Sequence, residues 1–208
     1  ESAEAGLRVD SWRGLSGSIA GWTTSFDEVG IFTDEGYRTI GNIESDGVDY
    51  VLRWDAGAAY EALEGCSIHA SYTMQESVLG RAVDPANNGN ETPYAWEDKL
   101  AWSLEYQTEE LWRWALGGTY VGESFSDEAN TVEENENGNI GRNAARTLWD
   151  AQISKELAVG RKARAKLMVG VTNLLDEDWF VHSRGGFFGG GKVSGPPREL
   201  YFGLSWSF

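Results

Sequence analysis

Proline, cysteine and basic residues are scarce in this sequence, and no long apolar run occurs in it. Of 208 residues, four are Pro, one is Cys and 17 are Lys or Arg, against 33 Asp or Glu. The single cysteine, Cys66, rules out an intrachain disulfide. Its neighbours Gly65, Ser67 and Ile68 read as a strand start, which makes Cys66 a small buried or lipid-facing residue rather than a nucleophile. The formal charge of −16 argues against a nucleic-acid partner, because phosphate binding needs clustered cations. Acidity alone describes a solvated surface, with a ligand role for some carboxylates left open. No stretch approaches the ~18 apolar residues of a membrane helix, so any contact with lipid has to be made by strands. Residue 1 opens no basic, then apolar, signal segment.

Aromatics and glycine are abundant instead. There are 10 Trp, 8 Tyr, 8 Phe and 26 Gly, yet mean hydropathy is −0.42. That combination fits neither a helical bundle nor a doubly wound α/β fold.

The dominant period is two. Apolar and polar residues alternate in Ala3 to Asp10, Val48 to Asp55, Ile68 to Gln75, Leu100 to Gln107, Trp112 to Tyr120 and Trp149 to Ser154. Such alternation predicts strands with one apolar face. Connections alternate too: 11–14 short, 27–41 long, 56–64 medium, 76–97 long, 108–111 short, 123–144 long, 158–162 short and 174–198 long. Short turns at one end and long loops at the other are the pattern of an outer-membrane barrel. The predicted fold is therefore all-β, an antiparallel transmembrane β-barrel.

The apolar face carries Trp54, Tyr72, Trp102, Tyr106, Trp112, Trp114, Tyr120 and Trp149, as interfacial aromatic girdles would. The opposite face carries Glu4, Arg8, Asp49, Arg53, His69, Glu105, Arg113, Asp150 and Gln152, which suits a wet or plugged lumen. In the last strand Leu200, Phe202, Leu204, Trp206 and Phe208 share one face, and Tyr201, Gly203, Ser205 and Ser207 the other. The apolar set is expected to point outward. Nine strands are counted, and a single-chain bacterial barrel has an even number. The expectation is that residue 1 is internal to a longer protein and that an N-terminal part is absent.

Several segments resemble the barrels of TonB-dependent outer-membrane receptors. Glu1 to Arg8 resembles their "ESYELGLR" strand. Gly36 to Asn42 with Gly47-Val48-Asp49 resembles "YRNIGN…SxGVE", and Ala70 to Thr73 matches their "ASYTY" strand. Val169 to Phe180 is similar to "GVNNLFDKDYF", and Gly195 to Leu204 to "GxPRxxYxGL". The matches run in order along nearly the whole chain and are nearest the ferric-citrate and siderophore type. The resemblance implies that residues 1–208 are the C-terminal portion of one 22-stranded barrel, with a plug domain and an N-terminal barrel half elsewhere. It implies uptake of a scarce ligand, often an iron chelate, driven by the TonB complex through that N-terminal part. Further implied partners are outer-membrane lipid and the barrel assembly machinery. That machinery would recognise the terminal strand through Leu200, Phe202, Leu204, Trp206 and Phe208. The implied location is the bacterial cell outer membrane.

Long loops carry recognition in such scaffolds. Segments 30–37, 83–94, 123–142 and 182–192 are the expected vestibule. Candidate ligand contacts in or beside them are Tyr37, Arg38, Tyr94, Trp96, Arg142, His182, Arg184, Phe187 and Phe188. Gly186 to Lys192 matches the G-x-x-x-x-G-K of a phosphate loop, but Val193 replaces the Ser or Thr and Pro196-Pro197 stand where a helix must follow. The acidic run Glu123, Asp127, Glu128, Glu133, Glu134 and Glu136 has no EF-hand frame. It reads as a solvated loop, with weak divalent-ion binding as the alternative. His69 and His182 have no convergent ligand set for zinc. No catalytic constellation is defended, so the reading is a transporter without cofactor or metal, not an enzyme. A passive porin or adhesive barrel, and a soluble β-sandwich binding protein, remain the alternatives.

Overall fold

The structure is a computed structural model that describes residues 1–33, 36–159, 163–183 and 190–207. Six strands come first: β1 (Ser2–Trp12), β2 (Leu15–Thr33), β3 (Gly36–Asp55), β4 (Cys66–Ala82), β5 (Asp98–Gln107) and β6 (Trp112–Val121). Seven follow: β7 (Ser124–Phe125), β8 (Arg142–Asn143), β9 (Arg146–Val159), β10 (Ala163–Thr172), β11 (Phe180–Ser183), β12 (Gly191–Ser194) and β13 (Glu199–Ser207). Nine of them form one sheet in the order β1-β2-β3-β4-β5-β6-β9-β10-β13. Every pairing is antiparallel between neighbours in that order. The two pairs left over, β7-β8 and β11-β12, are small hairpins within the long connections.

Register carries the alternation from strand to strand. Trp54 pairs with Ile68, Ile68 with Leu104, Leu104 with Leu116, Leu116 with Ala151, Ala151 with Val171 and Val171 with Leu200. One face is thus apolar right across the sheet. All eight aromatics read onto that face fall on it. Trp102 and Trp149 meet edge to face at 5.1 Å across Gly118. A Cβ at Gly118 would stand 2.6 Å from the Trp102 indole nitrogen. Leu200, Phe202, Leu204 and Trp206 are 71%, 78%, 67% and 50% exposed on the same side. The phenol of Tyr201, on the other face, donates to Gln152 Oε1 at 3.1 Å. Phe208 lies outside the described residues.

The polar face carries the predicted charges at cross-strand positions. Thr73 donates to Asp49 at 2.6 Å, and Arg113 bonds Glu105. Arg53 stands opposite His69, and Gly117 opposite Asp150. The sheet is one layer thick. The described residues contain a single small buried apolar cluster, Ile40, Ile43, Leu79 and Ala82 with Val29 against it.

The short connections 13–14 and 108–111 and the medium one, 56–65, lie at one end of the sheet. Arg13 and Gly14 turn β1 into β2 with φ of 49° and 77°. Both residues are left-handed, as a hairpin turn matching the strand twist requires. The connection 56–65 holds two short 3-10 turns, Ala56–Ala58 and Glu61–Leu63, and its Tyr60 packs edge-on to Trp54 at 6.4 Å.

At the other end, strand takes up most of one expected loop and the first part of another. β2 and β3 run 19 and 20 residues, so 27–33 and 36–41 continue as paired strands instead of forming a long loop. β4 likewise persists to Ala82. The hairpin is interrupted by irregularities between Phe26 and Gly30. Glycine and acidic residues there mimic loop composition, while β-bulges keep the backbone paired.

Candidate functional site

Three long connections interlock at that end, through side chains that bond to backbone. Asn130 accepts from the Glu91 amide at 2.8 Å and donates to the Glu91 carbonyl at 3.0 Å, as an added strand would. Asn90 donates to the Glu128 carbonyl at 2.8 Å, and the Tyr94 amide to the Phe125 carbonyl at 2.6 Å. The Ser126 hydroxyl donates to the Gly141 carbonyl at 2.8 Å and accepts from its amide at 2.9 Å. The His182 amide donates to Asn143 at 2.6 Å, tying β11 to β8. Arg38 reaches from β3 to grip Glu128 with bonds of 2.9 and 3.0 Å.

The sequence candidates separate in this arrangement. Tyr37 is 70% exposed near the tip of β2-β3. Arg38 and Arg142 are engaged by Glu128 and Glu123. Tyr94 holds a left-handed turn, φ 64°, through its backbone. His182 is buried, its Nδ1 against the Gly138 carbonyl at 3.2 Å. Arg142 and His182 line a hollow of about 350 Å³ together with Arg146, Glu177, Trp179 and Lys192. Arg184, Phe187 and Phe188 lie outside the described residues.

Two further residues were not singled out from the sequence. Lys99 and Arg146 both face the polar side, each opposite Val121 on β6. Each stands on an indole: Lys99 Nζ is 5.8 Å from the Trp96 ring centre, and the Arg146 guanidinium is 4.5 Å from that of Trp179. Among the described residues neither is in a salt bridge. The available signal was parity: both sit at inward-facing positions at the loop ends of their strands. Trp22 adds a third indole to this face, lying across Gly47.

The carboxyl of Glu91 is pushed above the usual range, by burial first and then by the charges of Glu97, Glu123 and Glu76. A raised value means that the folded protein holds the proton more tightly. The ionised form therefore weakens the fold at neutral pH, and this weakening is absent below about 4.5, where the carboxyl is protonated folded or unfolded. Glu91→Gln keeps both backbone bonds to Asn130. It should raise the melting temperature in detergent at pH 7 by about 1–2 °C, discounted for the exposure of the group. The gain should fade as pH falls toward 4.5. A lower melting temperature at pH 7 would contradict the repulsion argument.

An antiparallel sheet of one layer, aromatic and apolar on one side, charged on the other, with short turns at one end and interlocked loops at the other, is a section of transmembrane β-barrel wall. The family model described as "TonB dependent receptor-like, beta-barrel" matches residues 1–174, and the chain belongs to this family of the bacterial outer membrane. Among solved structures it is similar to the ferric citrate transporter FecA in its unliganded form, with 25% identity and a TM-score of 0.86 over 99% of this chain. It shares its fold with the ferric yersiniabactin uptake receptor FyuA from Yersinia pestis, at 16% identity and a TM-score of 0.72 over 99% of the chain. The copper transporter OprC has the same TM-score, 0.72, at 15% identity over 100% of the chain. The chain spans only 31%, 29% and 31% of the lengths of those three proteins. The interlocked end is thus extracellular, the short-turn end periplasmic, and the apolar face is the outer face of the barrel wall.

Proposed function

We propose that the protein is a TonB-dependent receptor that takes up an anionic iron chelate, a ferric citrate or ferric siderophore, across the outer membrane. The observation carrying this reading is the pair of lumen-side cations, Lys99 over Trp96 and Arg146 over Trp179, below the interlocked loops of an otherwise strongly acidic chain. A cation on an indole keeps its charge, is held in place, and can still donate to a carboxylate or catecholate. The 25% identity to a ferric citrate transporter supports the same reading. In it, residues 1–208 form the C-terminal part of one barrel, a plug fills the lumen against the polar face, and the TonB complex drives release. The loops form the outer vestibule, with Tyr37, Tyr94 and Trp96 on its approach, and the assembly machinery reads the apolar side of β13.

The test is binding of ferric citrate and of a neutral ferric hydroxamate to the receptor in detergent, by tryptophan fluorescence. Lys99→Ala and Arg146→Ala should each weaken ferric citrate binding roughly tenfold, the scale of one charged hydrogen bond. Ferric hydroxamate serves as the charge control. Unchanged ferric citrate affinity in the double variant would overturn the assignment.

A further inference from the structure

The lipid-facing side of the wall carries a feature that uptake does not use. On β5, β6, β9, β10 and β13 that face is apolar or aromatic almost throughout, and Lys155 is its one cation among the described residues. Lys155 stands opposite Trp112 and Leu167. Its ammonium lies 5.0 Å from the Trp112 ring centre and donates to the Glu110 carbonyl in the periplasmic turn 108–111. The chain thus bends toward the periplasmic interface, as a long basic side chain on lipid does.

Directly above it the wall is hollowed. A depression of about 460 Å³ lies among Leu104, Trp114, Leu116, Ile153, Val169 and Leu200. Its floor is the small side chain of Ala151, which sits between Leu116 and Val171 in register. Ile153 joins the hollow to Lys155 along the same face of β9, and Trp114 joins it to Trp112 along β6. An apolar slot ending at an indole and an ammonium, at the height of the periplasmic turns, matches one molecule: a lipid with an acyl chain and an anionic phosphate at that depth.

We infer that this surface holds a glycerophospholipid of the periplasmic leaflet, its phosphate on Lys155 and one acyl chain in the hollow floored by Ala151. Binding energy comes from burying the acyl chain against Trp114, Leu116 and Ile153, and position from the Lys155–phosphate pair. A site of this kind would fix the depth and rotation of the barrel in the bilayer at one point on its circumference. Its occupancy is independent of the transported ligand, so it stands whether or not the chelate assignment holds.

The experiment is native mass spectrometry of the receptor purified from outer membranes, then stripped with detergent and re-exposed to phosphatidylglycerol. The expected result is one phospholipid retained per receptor, and rebound after stripping. Ala151→Phe, which fills the hollow and stays apolar, should abolish retention. Lys155→Glu should cut it about fivefold or more, the scale of one basic residue at an anionic lipid surface, while Lys155→Arg retains it. The heat-shifted mobility of the folded barrel on gels confirms that each variant is folded. Should Ala151→Phe fail that check, the two Lys155 variants decide the matter. No retained phospholipid in the unaltered receptor, retention in folded Ala151→Phe equal to it, or no difference between Lys155→Glu and Lys155→Arg would each overturn the inference. Retention of lipopolysaccharide in place of phospholipid would overturn it as well.

Discussion

Leu116→Arg is expected to cost the folded barrel about 2–4 kcal/mol and to strip most of it from the outer membrane. Leu116 stands at the middle of the ten-residue β6, on the lipid face, opposite Leu104 on one side and Ala151 on the other. A guanidinium there is at the greatest depth the strand offers, with hydrocarbon on its open side. Neither end of β6 is within easy reach, so snorkelling recovers little of the lost hydration. Three residues along, Thr119 faces the lumen opposite Ala101 and Leu148. Thr119→Arg places the same charge on the watered side and should leave the protein at near-normal levels. The measurement is the amount of heat-shifted, folded protein in outer-membrane fractions. Equal losses in both variants would mean that the two faces are not lipid and lumen.

Asn130→Ala should release the extracellular loops from one another while barely moving the melting temperature of the barrel. Asn130 is one of the few non-glycine residues at positive φ, 52°. Its side chain supplies both backbone bonds to Glu91, and its amide also donates to the Asp127 carbonyl at 3.3 Å. Alanine forfeits all three and tolerates the left-handed backbone poorly. At about 1 kcal/mol for each lost bond, local opening of segments 86–95 and 124–142 should become roughly a hundredfold easier. Hydrogen exchange followed by mass spectrometry reads this directly. The strands β5, β6 and β9 should keep their protection, because the lost bonds lie outside the sheet. Unchanged exchange in both segments would show that Arg38–Glu128 and the remaining ties suffice without Asn130.

The strands were legible in the sequence because lipid and lumen impose opposite demands on alternate residues. Tyr106, Trp114 and Phe202 could be assigned a side from parity alone, and register then carried that assignment across the sheet. The upper part of β2-β3 was not legible, since Gly30, Gly36 and Gly41 look like turn residues and become bulge or hairpin positions only once β4 is seen alongside. The loop hairpins β7-β8 and β11-β12, of two and four residues per strand, are too short for any period to show. Loop side chains were the least legible of all. Arg38 and His182 have the chemistry of ligand contacts, but whether each side chain is already occupied depends on Glu128 and on the Gly138 carbonyl, far away in sequence. Lys99 and Arg146 gained meaning only when Trp96 and Trp179 arrived beneath them.

A wall with so little interior should also respond to temperature in its own way. The curvature of a stability curve comes from heat capacity, which rises when apolar groups pass from a dry core into water. Here Leu7, Phe202 and Leu204 are 76%, 78% and 67% exposed in the folded chain, on the apolar outer face. When such a sheet comes apart in a micelle, detergent goes on covering those side chains, and the new contact with water falls mainly on amides. Amide hydration lowers heat capacity instead of raising it. The stability of this wall therefore follows a nearly straight line with temperature, without the maximum near room temperature that a water-soluble core produces, and cooling does not loosen it.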